Sequence, residues 1–418
     1  MKVRKCYPAS YGCLAEQKMK QNGATRKDNA GGTMQKVERL DYLNGLKVLS
    51  FILVFNVHFL NAFYPGFYSL DPAVFHTSNQ IEFLIGATPL DLIIAGKFSV
   101  KLFMIMSGFL AARRFFLTGD EKALSEGAFK KYFRLVLPVV AVNVLIVVAM
   151  YAGLYRNSEM AVIADSVDLF GNYNQFQPSI FAALKEAMFG CFITGANSYN
   201  GPLWFLEYEF LGTLMVAAIL ALVGKKKARF LVYAVVCVIF VRTDFLAVLM
   251  GMILAELFYH DYKWVEKLKS KKWLMWLLLV GCLLVATYPP IGDYGNRLQG
   301  TIYALIPAKV MIYYIFGGTG LLFAVSALEP VKKFLSAKPF AWLSKISYCF
   351  YLVHFPIICT VTASVFLALY QKMNYHLLAV LCYVITVVVA LTMSWLLTRF
   401  VEKPGIKMAE KLTKKLLS

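Results

Sequence analysis

The stretch LKVLSFILVFNVHFLNAFY, residues 46–64, is apolar at almost every position yet carries Lys47 near its start and His58 deep inside. A run of about twenty apolar residues is long enough to cross the hydrocarbon of a bilayer as a helix. At 100° per residue, a separation of eleven returns both side chains to nearly the same face, roughly 16 Å apart along the axis. Ionisable groups at membrane depth are rare and usually functional. The competing reading of His58 is a packed imidazole bonded to a neighbouring helix.

The rest of the chain repeats this pattern. Of its 418 residues 59% are hydrophobic and 16% charged, with a mean hydropathy of +0.61, which excludes an ordinary water-soluble domain of this length. Ten apolar runs, at 46–63, 92–112, 135–153, 202–223, 229–243, 245–259, 273–288, 301–326, 347–369 and 376–399, predict an all-α polytopic protein with about ten transmembrane helices. The net charge of +19 is unevenly spread. With the N-terminus placed in the cytoplasm, about four in five of the Lys and Arg fall on the inner side, which puts both termini there and the protein in the cytoplasmic membrane as a multi-pass chain. Blocks such as KKKAR (225–229) and KLKSKK (267–272) then read as topology signals rather than nucleic-acid patches.

Residues 1–38 form a basic arm that is expected to be disordered, and 1–33 read as an extension ahead of a natural start at Met34. Residues 39–407 form the membrane domain, and 408–418 a basic cytoplasmic tail. The longest outer connection, about 154–201, holds an amphipathic piece at 179–192 and is expected to lie on the membrane surface or over an outer opening. Of eight cysteines only Cys191 falls in an outer connection, and His and Cys do not cluster at metal-ligand spacing, so neither a disulfide framework nor a metal is expected. Glu256 and Lys309 are intramembrane charges that would suit each other as partners.

Six segments carry a stronger signal in combination: RLDYLNGLKVLSFILVFNVH (39–58), FSVKLFMIMSGFLAARRF (98–115), KYFRLVLP (131–138), LWFLEYEF (203–210), ISYCFYLVHFP (346–356) and FVEKP (400–404). In this order the chain resembles the acyltransferase 3 family of integral membrane acyltransferases. The resemblance implies transfer of an acyl group, commonly acetyl, from cytoplasmic acyl-CoA to a hydroxyl of an outer acceptor such as a surface polysaccharide or glycolipid, with no permanently bound cofactor. The family's first helix carries an Arg, ten intervening residues and a His; here the pair is Lys47 and His58. A lysine meets phosphate as a point charge and loses the bidentate fork of arginine.

The resemblance also implies a basic acyl-CoA site on the inner side. Lys131 and Arg134, three apart before Pro138, match a family pattern, and Arg113, Arg114 and Lys47 join them. Ser107 belongs to a Ser-Gly-Phe motif; Trp204 and Glu209 match a Trp and a Glu five residues on. As bare residues these equally suit an inside-positive anchor, close helix packing and an interfacial carboxylate. Lys101, one turn from Lys97, could draw in an anionic acceptor. Tyr351 and His354 share a face, with His354 a second acid–base candidate or a structural hydrogen bonder.

A hydroxyl is barely ionised at neutral pH, so its attack on a thioester needs a base, and an imidazole has a suitable pKa. His58 is the expected general base, and Glu209, the other residue assigned to the catalytic set, is expected to partner a membrane cation or the acceptor. A transient acyl-enzyme is the alternative route. From another class, a transporter or flippase of a glycan or small molecule also suits many spans with buried charge and a Pro-interrupted helix, although the chain has no internal repeat.

Overall fold

The computed structural model describes residues 26–27, 33–34, 40–260, 262–289 and 310–417. Most of the basic arm, the start of the run predicted at 301–326, and Lys309 lie outside the described residues. Apart from a two-residue antiparallel ladder joining Arg26–Lys27 to Thr33–Met34, the described elements are helical.

The principal helices are α1 (Asp41–Phe63), α2 (Gly96–Thr118), α3 (Lys122–Tyr151), α4 (Phe205–Val223), α5 (Arg229–Ile239), α6 (Phe245–Tyr259), α7 (Lys272–Ala286), α8 (Val310–Ala327), α9 (Ser347–Ile357), α10 (Tyr375–Leu397) and α11 (Lys403–Leu417). Each apolar run that lies within the described residues coincides with one of them. Among the described residues five helical segments are long and apolar enough to cross a membrane: Asp41–Phe63, Lys122–Tyr151, Gly201–Val223, Ser347–Leu369 and Tyr375–Lys415. The count reaches seven if two sharply bent helix pairs, which include α6 and α8, are each taken as one span. Large apolar side chains such as Leu222, Leu231, Val238 and Val380 point outward, as a lipid-facing surface requires.

α2 differs from those five. It is 23 residues long but carries Lys97, Lys101, Arg113 and Arg114, so length and apolarity alone do not make it a span. It is instead surrounded by protein, packing against α1, α3, α4, α6 and α8. Glycines make the closest of these contacts. A Cβ on Gly108 would collide with the Val248 carbonyl oxygen, and one on Gly251 with that of Ile105. With no side chain at either position the α2 and α6 backbones meet directly, as small residues allow in membrane helix pairs.

Two helices run beyond their apolar cores. α3 begins at Lys122, thirteen residues before the run at 135–153, because its first turns are basic and amphipathic rather than apolar. α10 passes through a π-helical turn, Thr398–Glu402, into α11, so the basic tail is helical and packs against α3.

The 154–201 connection folds back over the ends of α1 and α9. The Ser166 hydroxyl donates to the Ala62 carbonyl at 3.0 Å, and Phe170 and Tyr173 pack on the Phe355 ring. Pro356 cannot donate a backbone hydrogen bond, which leaves the Leu352 carbonyl without its helical partner; the buried Asn200 amide donates to it at 2.9 Å. The connection is therefore tied to α9 two residues from His354.

Gly251→Val should lower the melting temperature of the purified protein sharply or prevent its accumulation, since overpacking against backbone costs about 1–3 kcal/mol or more. Gly281→Ala, which meets nothing within 4 Å, should leave melting unchanged in the same assay.

Candidate active site

A cavity of about 450 Å³ opens among α1, α2, α3, α4, α9 and α11, within the roughly 300–1,000 Å³ typical of ligand clefts. Lys47, Arg114, Lys130, Lys131 and Arg134 line it, together with Ser107, Glu209, Thr213, Ser347, Tyr348 and Tyr351 and the apolar Phe103, Met106, Leu110, Leu135 and Phe205. The helical extension of α3 brings Lys130, Lys131 and Arg134 there, and α11 supplies Ile406, Ala409 and Glu410.

Lys131 is the most tightly held of these cations. Its ammonium meets Glu209 Oε1 at 2.7 Å and donates to Ser107 Oγ at 2.6 Å and Thr213 Oγ1 at 2.7 Å. All three of its protons therefore have acceptors on α2 and α4. Arg134 lies 3.6 Å from the buried Glu402, whose other oxygen accepts from Cys349 and Thr398. Arg114 is largely exposed, 3.7 Å from Glu126. Arg113 does not line the cavity: its Nε donates to the Tyr259 hydroxyl at 2.7 Å and its guanidinium lies over the Tyr259 ring. Glu256 pairs with Arg229 at 2.5 Å and accepts from Tyr262 at 3.2 Å, while Lys309, the partner suggested for it, lies outside the described residues.

His58 does not line this cavity. It sits three turns along α1 from Lys47, half-buried, with Nδ1 at 2.8 Å from Nε2 of His354. His354 is 1% exposed. Its Nδ1 lies 3.1 Å from the Phe350 carbonyl oxygen. That oxygen only accepts, so His354 Nδ1 carries the hydrogen and its neutral Nε2 offers a lone pair. His58 must then donate through Nδ1, which leaves His58 Nε2 as the bare basic nitrogen. The chain carbonyl–His354–His58 thus fixes a tautomer and orients the ring. The two imidazoles lie edge to edge, their planes 11° apart and their centroids 5.1 Å apart, and Phe355 meets His58 edge-on at 5.3 Å. Tyr351 links the two regions: it lines the cavity, its ring lies 5.8 Å from that of His354, and its hydroxyl donates to the Pro202 carbonyl.

Trp204 and Lys101 belong to a second cavity, of about 370 Å³, that shares no lining residue with the first. Lys101 is buried and paired with Asp244 at 2.5 Å, with its ammonium 5.4 Å from the Trp204 ring centroid. Asp244 carries no motif in the sequence; its one signal is an acidic residue between the apolar runs 229–243 and 245–259. Cys191, in the 154–201 connection, has its thiol pushed up to about 12, first by burial and then by the Glu186 carboxylate. It is no thiolate nucleophile at neutral pH.

The family model described as an acyltransferase domain, that of the acyltransferase 3 family, matches residues 40–398. The chain belongs to this family and is an acyltransferase for groups other than amino-acyl groups, built on membrane-type helices. Comparison with curated proteins and with solved structures finds no match.

Lys131→Met should destabilise the protein by about 3–5 kcal/mol by leaving the Glu209 carboxylate without its cation. Thermal melting of the double variant Lys131→Met/Glu209→Leu should recover most of that loss.

Proposed function

We propose that the protein is a membrane O-acyltransferase, most simply an O-acetyltransferase, that takes its acyl group from cytoplasmic acyl-CoA and gives it to a hydroxyl of a surface polysaccharide, glycolipid or similar outer acceptor. The observation that carries this reading is the His58–His354–Phe350 hydrogen-bond chain, because it leaves an oriented imidazole with Nε2 unprotonated. In this reading the acceptor O–H gives its proton to His58 Nε2 as its oxygen bonds the thioester carbonyl carbon. Collapse of the tetrahedral intermediate breaks the C–S bond, and the proton passes to the departing CoA thiolate. Nothing accumulates on the enzyme, and His58 ends as it began.

His354 acts through His58. It accepts the Nδ1 hydrogen bond and so stabilises the imidazolium that forms at the moment of attack. The donor's phosphates would meet Lys47, Lys130, Arg114 and Arg134, while the apolar wall of the first cavity suits the pantetheine and acyl chain. Lys131 and Glu209, locked to each other, shape that wall. The positive-inside pattern supports placing this end in the cytoplasm, with both termini on that side and about ten crossings in all. Lys47 then stands near the donor's compartment and His58 toward the acceptor's.

In cells, His58→Ala should abolish acylation of envelope glycans, seen by mass spectrometry, while the variant still accumulates in the membrane; loss of a general base lowers rates by about 10²–10⁴. Unchanged acyl content would remove His58 from the mechanism. Arg134→Gln should raise the KM for acyl-CoA with a smaller effect on kcat, and its penalty should shrink as salt rises.

A further inference from the structure

The second cavity has the make-up of a carbohydrate site with a charge requirement. Lys97, Lys101, Arg242 and Asp244 line it beside the aromatic rings of Trp204 and Tyr208. Three cations thus face one carboxylate. Lys101 is engaged by Asp244 Oδ2; the side chains of Lys97, whose ammonium lies 5.4 Å from the Tyr68 ring centroid, and of Arg242 are exposed. Asp244 is 7% exposed, and its Oδ1 has no hydrogen-bond partner among the described residues. A buried carboxylate oxygen left without a donor is unfavourable. An incoming sugar hydroxyl would satisfy it.

The cavity also lies where an acceptor is needed. Its Lys97 follows Gly96, which packs directly on Val57, the neighbour of His58 on α1. The Asn56 side chain, two positions before His58, donates to the Ile93 carbonyl at 3.0 Å, four residues before Lys97. The lysine pair therefore stands at the depth of His58, and the first cavity is lined by the opposite half of the same helix, Phe103–Arg114.

We infer that this second cavity binds the acceptor, and that the acceptor is a sugar carrying a negative charge, a carboxylate or a phosphate. This rests on the acyl-transfer reading for its role, though not for its binding chemistry. The ring would pack into the corner that Trp204 and Tyr208 form with planes 77° apart, a hydroxyl would donate to Asp244 Oδ1, and the charge would meet Lys97 and Arg242.

The test is calorimetric titration of the full-length protein in nanodiscs with methyl glucuronoside, glucose 1-phosphate, neutral methyl glucoside and inorganic phosphate. Both charged sugars should bind at least about tenfold more tightly than either control, the size of effect expected from one charge-assisted contact. Lys97→Gln/Arg242→Gln, which alters only exposed side chains, should erase the preference without lowering the melting temperature. If the double variant does not accumulate, each single change should reduce the preference. Equal binding of the neutral sugar, phosphate binding as well as glucose 1-phosphate, indifference to these substitutions, or no binding at all would overturn the inference. The titration needs neither CoA nor turnover. Its failure leaves acyl transfer by His58 untouched, and the failure of acyl transfer leaves the titration standing.

Discussion

Lys131 places one ammonium among Glu209, Ser107 and Thr213, and so ties α3 to α2 and α4 at the wall of the first cavity. A charge removed from water must be paired and hydrogen-bonded or it opposes folding. In a membrane protein that requirement does what hydrophobic burial does in water: it chooses which helix faces meet. The same requirement explains why Lys101 faces Asp244, Arg229 faces Glu256 and Arg134 faces Glu402. These pairs join α2 to the start of α6, α5 to the end of α6, and α3 to the turn before α11.

α2 is the helix most shaped by this pairing. Its four cations would make it a poor transmembrane segment alone, yet Arg114 lines the first cavity, Lys97 and Lys101 line the second, and its interior is packed against five other helices. Glycines 108 and 251 permit the contact with α6 that brings Asp244 to Lys101. His58 and His354 solve the same problem without charge. Each neutral ring satisfies the other, the backbone carbonyl of Phe350 sets the direction of the chain, and the one nitrogen left over is the one a reaction can use.

Much of this was legible in the sequence because apolar length and motif order are local properties. The runs within the described residues fall on helices, and Lys47, Ser107, Arg114, Lys131, Arg134, Glu209 and Tyr351, singled out across three hundred residues, meet at one cavity. Helix ends were less legible: the basic start of α3 carries no apolar signal, and its helicity comes from packing. Partners across helices were not legible at all. Nothing local joins Arg229 to Glu256 or sends Arg113 to Tyr259. Residues 296 positions apart had to meet before His354 could be seen as the acceptor of the His58 hydrogen bond.

The account turns on which nitrogen of His58 is bare, and nitrogen-15 NMR of histidine-labelled protein in lipid reads that directly. The chain has five histidines, and comparison with His58→Gln and His354→Gln spectra assigns the two that matter. At neutral pH the account predicts His58 with a protonated Nδ1 and a lone-pair Nε2, coupled to a His354 whose Nδ1 carries the hydrogen. A His58 protonated at Nε2, or one whose tautomer is the same in His354→Phe, where no acceptor faces Nδ1, would contradict it.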